Sequence, residues 1–298
     1  MTGNYPFKAT LLGTGCPVVS PRRYGAGTLV ECGGKQFLID VGSGVTQRLV
    51  QAGHNGAQID ALLLTHLHSD HLVDLYQFII SSWHQNRDRP QTIIGPPGTQ
   101  TFVAAQMQAW QSERNLRIEF EKRSSIAAFE IEVTEVDDSR EIISVNNVTI
   151  SAVRVEHPPV EPAFGYVFEA PGRKLVLSGD TRPCNSLVEA AKNANVLVHE
   201  VFAHSHNDGS LTRGTRTAET MAAVASYHTT ADEVGRVARD ASVKCLILNH
   251  IVPPDADEKQ LIAAVRRHYS GPVVVGEDLM SFNLLTGQFN QQQVHFSI

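Results

Sequence analysis

The sequence of 298 residues contains no apolar run that approaches the about 18 residues of a membrane-spanning helix. Its N-terminus lacks a basic segment followed by an apolar run, so we expect no export signal and predict a cytoplasmic location. Only four cysteines are present, and no two of them form a C-x-x-C pair. We therefore expect reduced thiols in place of disulfides or a cysteine-based metal site.

Positive charge is also scarce, because 25 Lys and Arg face 31 Asp and Glu, for a net charge of -6. This balance provides no general attraction for nucleic acid or anionic membranes, although a local basic patch would not alter the sum. With 42% hydrophobic and 19% charged residues, the chain is not disordered. Its length suits one large α/β domain, or two fused halves that share a core. Histidine, the commonest metal ligand, occurs 13 times.

Short apolar runs with turn residues between them predict strands, and several stretches have helical spacing. Gly33 and Gly34 mark the turn of a predicted hairpin. Residues 116–150 predict antiparallel strands at one edge of a sheet. A last helix near 257–269 and a final strand pair over 271–284 are expected. No linker divides the chain, and the pattern predicts a four-layer αββα sandwich with two sheets inside and helices outside.

The segment from Thr65 to His71 carries the strongest local signal. His66, His68, Asp70 and His71 place four potential ligands within six residues, where a buried strand ends and a helix begins. Three imidazoles and a carboxylate on a tight turn suit a borderline cation such as zinc. The alternative is a polar helix start with Ser69 or Asp70 as its cap, but capping needs one residue and not three histidines.

Three later residues share one placement. His157, Asp180 and His250 are each expected just past the end of an apolar strand. Strand ends at one edge of a sheet converge, and α/β proteins place their sites there. Taken singly, each residue is explained equally well as an ordinary turn residue or surface residue. Taken together, they predict one site.

These motifs resemble the metallo-β-lactamase superfamily from about residue 8 to about residue 280. The matching features are LLGTG, Asp40 in LIDVGSG, THLHSDH, His157, the SGD that ends at Asp180, and the NH that ends at His250. The resemblance implies the four-layer fold of that superfamily, with residues 1–298 as one hydrolase domain, and also a homodimer. It implies two divalent metal ions, zinc first, with manganese or iron as alternatives.

The resemblance also assigns ligands by position. His66, His68 and His157 would hold the first ion, Asp70, His71 and His250 the second, and Asp180 would bridge them. Asp40 would orient a ligand from behind it. A water shared by two such ions loses its proton near neutral pH and can attack phosphorus, sulfur or a carbonyl carbon.

Two further residues resemble those of the tRNA 3′-processing endonucleases and their relatives. Glu200 lies in NVLVHEVF, and His228 lies in SYHTTADEV. The resemblance implies that Glu200 supports His228, which protonates the leaving group. Asp70, Glu200 and His228 are thus the predicted catalytic residues. The alternative for His228 is an ordinary residue at a helix start.

The substrate prediction depends on two departures from these endonucleases. Asp180 follows His157 by only 23 positions, which leaves no room for the arm that many of them use to grip tRNA. The helix after the histidine cluster begins LVDLYQF, where they usually show Gly-Leu-Pro. We therefore expect hydrolysis of a small anionic ester, an aryl phosphodiester or an aryl sulfate, with tRNA 3′ processing as the alternative. A lactone or β-lactam hydrolase, a binding module and a di-iron redox site rank lower. RNA is not the favoured partner, and no membrane partner is expected.

Two loops add weaker candidates. Arg22 and Arg23 suit an anionic substrate group, and the alternative is a solvated surface pair. His204, His206 and Asp208 could line a pocket or hold a further metal ion.

Overall fold

The computed structural model of the protein describes residues 5–203, 218–291 and 294–297. The strands in these ranges are β1 (Lys8–Gly13), β2 (Gly27–Cys32), β3 (Lys35–Ile39), β4 (Ala61–Leu63), β5 (Gln91–Gly95), β6 (Ile131–Glu135), β7 (Arg140–Val145), β8 (Val148–Val155), β9 (Ala163–Ala170), β10 (Arg173–Leu177), β11 (Val196–Phe202), β12 (Leu246–Val252), β13 (Val273–Val275), β14 (Ser281–Asn283), β15 (Gln288–Gln291) and β16 (Val294–Ser297). The α-helices are α1 (Val45–Gln51), α2 (Leu75–His84), α3 (Thr99–Ala109), α4 (Gln111–Glu121), α5 (Asn185–Ala190), α6 (Ala218–Ala225), α7 (Ala231–Asp240) and α8 (Glu258–Val265).

The strands form two sheets that pack face to face. The first has nine strands in the order β16-β15-β14-β1-β2-β3-β4-β5-β6, and the second has seven in the order β13-β12-β11-β10-β9-β8-β7. Strand β3 shows how the residues divide between layers. Phe37 and Ile39 belong to the core between the sheets, whereas Leu38 faces the helices that cover the first sheet. This is the period-two alternation of a strand whose two faces are both buried.

Helices cover both outer faces. Val45 of α1, Phe78 of α2 and Val103 of α3 pack on the first sheet. Leu187 of α5 and Val234 of α7 pack on the second. The predicted four-layer αββα sandwich is therefore confirmed. All four cysteines are free and buried. Among the residues that the model describes, no helix is long and apolar enough to cross a membrane.

The prediction of antiparallel strands over residues 116–150 is wrong in part. Helix α4 continues to Glu121, and β6 runs parallel to β5, so only β7 and β8 form an antiparallel pair there. The apolar residues of α4 alternate with charged ones at the period of a strand. Arg117, however, forms ion pairs with Glu113 and Glu121, one helical turn away on each side, and such pairs stabilise a helix.

The expected strand pair over residues 271–284 is also wrong. Strand β13 pairs with β12 in the second sheet, whereas β14 pairs with β1 in the first. The hairpin of β2 and β3 has the predicted turn, where Gly33 and Gly34 both have positive φ.

Parallel pairing in both sheets determines where the site lies. Strands β3, β4 and β5 are parallel to one another, and so are β10, β11 and β12. The carboxyl ends of parallel strands meet at one edge of their sheet. Polar side chains that follow these strands are thereby brought together at one edge of the two sheets.

Candidate active site

The histidine cluster sits on the turn between β4 and α2. A single turn of 3-10 helix covers Ser69–His71, and His66 and His71 are buried. Asp40 lies behind this turn, two residues before Gly42, with φ of 59°. Its Oδ1 accepts a hydrogen bond from the Thr65 amide at 2.8 Å. Its Oδ2 accepts from the Thr65 hydroxyl and from His71 Nδ1, each at 2.8 Å.

The Asp40 carboxylate therefore sets both the shape of the turn and the tautomer of His71. With its Nδ1 proton donated to Asp40, His71 turns Nε2 toward the centre of the site. A carboxylate behind a histidine is the usual means of orienting a metal ligand.

The second sheet supplies the other three side chains. His157 lies two residues after β8, and Asp180 lies three residues after β10. His250 differs from the expectation, because it lies inside β12 and not past its end. The pairing of β11 with β12 shifts at this point, and His250 has φ of 38°. This bulge turns the imidazole into the site while the strand continues.

Three histidines form one group of ring nitrogens. His68 Nδ1 lies 3.0 Å from His66 Nε2 and 3.2 Å from His157 Nε2. His157 Nδ1 donates to the Tyr227 carbonyl at 3.0 Å, so its Nε2 carries a lone pair. The Thr65 hydroxyl gives its one proton to Asp40 and accepts from His66 Nδ1 at 3.0 Å, so His66 Nε2 also carries a lone pair.

Both lone pairs point at the same ring nitrogen of His68, which can satisfy one of them at most. A cation among the three rings would satisfy all of them. Burial lowers the pKa of His157 to about 4 and holds the pKa of His66 well below its usual value. Neutral imidazoles are the form that binds a metal ion.

Asp70, His71 and His250 form a second group. Asp70 Oδ2 lies 3.2 Å from His250 Nε2 and 3.6 Å from His71 Nε2. Asp180 lies between the two groups, with Oδ2 at 3.4 Å from His71, 3.5 Å from His250 and 3.9 Å from His66. In each of these groups the ligand atoms lie within 4.8 Å of one another.

All seven side chains that the sequence singled out as ligands thus meet in one volume. The set of imidazole and carboxylate donors fits two divalent ions with borderline ligand preference. His66, His68 and His157 could hold one ion, Asp70, His71 and His250 the other, and Asp180 could contact both.

His228 lies beside this volume and pairs with Glu200. Its Nδ1 is 2.9 Å from each Oε atom of Glu200, and both side chains are buried. The Thr181 amide donates to Glu200 Oε1 at 2.7 Å and holds the carboxylate in place. Burial opposes the charged imidazole, but Glu200 outweighs it and raises the pKa of His228 to about 9. The ring centroid lies 5.3 Å from that of His157 and 5.9 Å from that of His250.

The two arginines of the β1–β2 loop are engaged by the protein itself. Arg22 pairs with Glu258 at 2.6 Å and Glu277 at 2.8 Å. Arg23 is buried and donates to the carbonyls of Pro254 and Gly276 and to the Thr14 hydroxyl. These contacts account for both guanidinium groups without a substrate, whose binding by them stays a prediction. His204, His206 and Asp208 lie outside the described residues.

Sequence reasoning missed three groups that orient the site: the Thr65 hydroxyl, the Thr181 amide and the Tyr227 carbonyl. Thr65 precedes the first histidine and could have been found from that position. A backbone amide or carbonyl has no signature in the sequence, so the other two could not.

Comparison with known proteins gives matches over most of the chain. A family model described as "Anti-Pycsar protein Apyc1" matches residues 7–232. "Ribonuclease Z" of Mycolicibacterium paratuberculosis is 37% identical over 277 residues, which cover 91% of this chain and 96% of that protein. "Ribonuclease Z" of Mycobacterium bovis (strain BCG / Pasteur 1173P2) is 37% identical over 275 residues, covering 91% of this chain and 95% of that protein.

Solved structures show the same fold at lower identity. The metallo-β-lactamase fold protein YhfI from Bacillus subtilis has a TM-score of 0.71 at 19% identity, covering 93% of this chain and 99% of that one. The short form of human tRNase Z has a TM-score of 0.68 at 21% identity, with the same two coverages. The predicted metallo-β-lactamase fold is therefore confirmed.

The expected substrate is corrected by these relatives. The sequence predicts a small aryl phosphodiester or aryl sulfate as substrate, with tRNA 3′ processing as the alternative. Relatives that match almost the whole chain are named Ribonuclease Z, which supports the alternative and contradicts the main prediction. The short connection between His157 and Asp180 and the LVDLYQF start of the helix after the histidine cluster do not exclude RNA as the substrate.

Proposed function

Since the chain belongs to the metallo-β-lactamase superfamily, in the ribonuclease Z branch, we propose that it is an endoribonuclease that cuts precursor tRNA at its 3′ end. Membership of this superfamily confirms the prediction of a metal-dependent hydrolase that acts on ester bonds. The proposal adds RNA as the partner and the phosphodiester as the bond. One observation supports it above the others: the buried pair of His228 and Glu200 faces the seven-ligand site.

Two divalent ions, which we propose to be zinc, would lower the pKa of a bound water to near 7 and offset the negative charge that grows on the phosphate. Residues of this chain would hold and orient these ions. His66, His68 and His157 supply one ligand set, and Asp70, His71 and His250 supply the other. Asp180 Oδ2 lies within 3.9 Å of ring nitrogens from both sets, so its carboxylate could bind at both positions.

His228 supplies the proton that the leaving oxygen needs. Its Nδ1 is committed to Glu200, so Nε2 is the nitrogen that can face the substrate. An imidazolium held by a carboxylate can protonate the 3′ oxygen as the phosphorus–oxygen bond breaks, and such positioned acids contribute about 10²–10⁴-fold in rate. The tRNA then keeps a 3′ hydroxyl, and the released trailer keeps the phosphate.

Strands β9 and β10 fill the connection between His157 and Asp180. The grip on tRNA must therefore come from other surfaces of the protein. We propose no particular surface for it, and the dimer that the resemblance implied stays a prediction.

The experiment uses a precursor tRNA with a 3′ trailer and the full chain loaded with zinc or manganese. We expect one cut at the base of the trailer, a 3′ hydroxyl on the tRNA product, and no cleavage after a chelator removes the metal. The same tRNA without its trailer is the matched control and should stay intact. An enzyme with both metal positions filled that leaves every precursor uncut would contradict the proposal.

A further inference from the structure

A large open pocket adjoins the metal ligands on the side of the β1–β2 loop. We call it the loop pocket. It has a volume of about 640 Å³, and its walls are the loop residues from Cys16 to Gly25 except Arg22, with Ser43, Ser69, Asp70 and Val73 opposite. Pockets of about 300–1,000 Å³ are the size that holds small organic groups. Because Asp70 belongs both to this wall and to the second ligand group, a molecule in the pocket would lie next to the metal centre.

The lining exposes apolar side chains to water. Val18 is 39% exposed, Val19 91% and Val73 63%, and Pro17 and Pro21 are exposed beside them. Apolar residues that are gathered in the open at the rim of a polar site mark a place where a ligand covers them. Val50 on α1 is also exposed, but it does not belong to the lining of the loop pocket.

The charges of the lining argue against a phosphate in the loop pocket itself. Among these residues, all of them described, Arg23 is the one cationic side chain. Its guanidinium donates into the protein, to the carbonyls of Pro254 and Gly276 and to Glu258. Asp70 is the one acidic residue of the lining, and its carboxylate contacts His250 and His71 of the second ligand group. With no free cationic side chain in the lining, the loop pocket favours an uncharged and partly apolar occupant.

The wall is held in place before any ligand arrives. Asp278 is buried and accepts from the Thr14 amide at 3.0 Å and the Tyr24 amide at 2.9 Å, so one carboxylate ties both ends of the loop. Arg48 pairs with Asp278 at 3.2 Å and lies over the Tyr24 ring at 4.0 Å. A wall that is fixed in advance costs less entropy when a ligand binds.

We propose that the loop pocket binds the nucleobase next to the phosphate that the metal centre cleaves. This rests on the proposed function, which supplies a phosphodiester flanked by bases. A base is uncharged, has apolar faces for the valines and prolines, and is joined through its ribose to a phosphate that the metal centre can take. Stacking of a base on an aromatic side chain contributes about 1–3 kcal/mol and full burial of a valine about 1.5–3 kcal/mol, so we expect a gain in affinity of about 5- to 150-fold.

The test measures binding to the metal-loaded full chain by titration calorimetry. Adenosine 5′-monophosphate and ribose 5-phosphate present the same phosphate to the metal centre, so the ratio of their Kd values reports the base alone. We expect the nucleotide to bind about 5- to 150-fold more tightly. In the double variant Val19→Ser/Val73→Ser this ratio should fall to near one while the Kd for ribose 5-phosphate stays the same. Val50→Ser is the matched control and should keep the wild-type ratio.

Two results would overturn the inference: a ratio near one in the wild-type protein, or an unchanged ratio in the double variant. The cleavage assay on precursor tRNA separates this failure from that of the proposed function. A protein that cuts the precursor but shows no preference for the nucleotide lacks the base site. A protein that shows the preference but leaves every precursor uncut has the base site and a different substrate.

Discussion

Nδ1 of His228 lies 2.9 Å from both carboxylate oxygens of Glu200, and the pair is buried at the side of the metal-ligand volume. A carboxylate that faces one ring nitrogen with both oxygens fixes the plane of the ring and favours its protonated form. The Thr181 amide holds Glu200 from behind. The His228 imidazole is thus oriented by Glu200 of β11, which is itself held by the Thr181 amide after β10.

His228→Ala should lower kcat on precursor tRNA by about 10²–10⁴-fold, because the leaving oxygen then departs without a positioned acid. Both metal ions should remain bound. The measurement pairs single-turnover rates with metal analysis of the same sample. His268→Ala is the control, since that histidine pairs with Asp232 on the surface. Loss of metal from His228→Ala would show that His228 is a ligand, which its position near Asp180 and His250 also permits.

Asp70→Ala should release the ion held by Asp70, His71 and His250 and abolish most activity. Without the carboxylate, that position keeps two imidazoles and shares Asp180, which is a poor set for a divalent cation. Metal analysis should give one ion per chain in place of two. Ser69→Ala, in the same turn, should keep two. Two ions in Asp70→Ala would refute the assignment of Asp70 as a ligand.

Asp40→Asn should weaken metal affinity by about 10–100-fold, which is the usual effect of removing the partner behind a ligand. An amide cannot accept from the Thr65 hydroxyl, the Thr65 amide and His71 Nδ1 together. Competition with a chromogenic chelator measures the change. Asp60→Asn provides a control, because Asp60 also accepts from a backbone amide and from cationic side chains but lies on a different loop. Equal metal affinity in the two variants would contradict the orienting role of Asp40.

Six of the seven candidate metal ligands could be predicted from the sequence because they are polar residues that follow an apolar strand. The parallel order of β10, β11 and β12 then brings them to one edge. His250 shows the limit of this reasoning. A bulge within β12 turns its side chain into the site, and only the pairing with β11 reveals it.

Helix α4 shows a second limit. Its apolar residues alternate with charged ones, as in a strand, yet Leu116 is 65% and Phe120 90% exposed. The alternation therefore does not mark the buried face of a strand. Ion pairs between residues one turn apart stabilise the helix instead. The loop pocket could not be predicted either, because its wall depends on Asp278, which is 254 positions from Tyr24 in the chain.

Arg23→Met should destabilise the protein by about 2–4 kcal/mol, whereas Arg22→Met should cost about 0–1 kcal/mol. The guanidinium of Arg23 satisfies two carbonyls, of Pro254 and Gly276, that methionine would leave buried and unpaired. The side chain of Arg22 is 62% exposed, and its ion pairs with Glu258 and Glu277 are screened by water. Urea unfolding of the metal-loaded proteins measures both changes, and KM on precursor tRNA is measured beside them. If Arg22→Met lowered the free energy of unfolding more than Arg23→Met, the structural role assigned to Arg23 would be wrong. A higher KM for Arg22→Met with an unchanged free energy of unfolding would support the predicted contact between Arg22 and the substrate, because a loss of stability could not explain it.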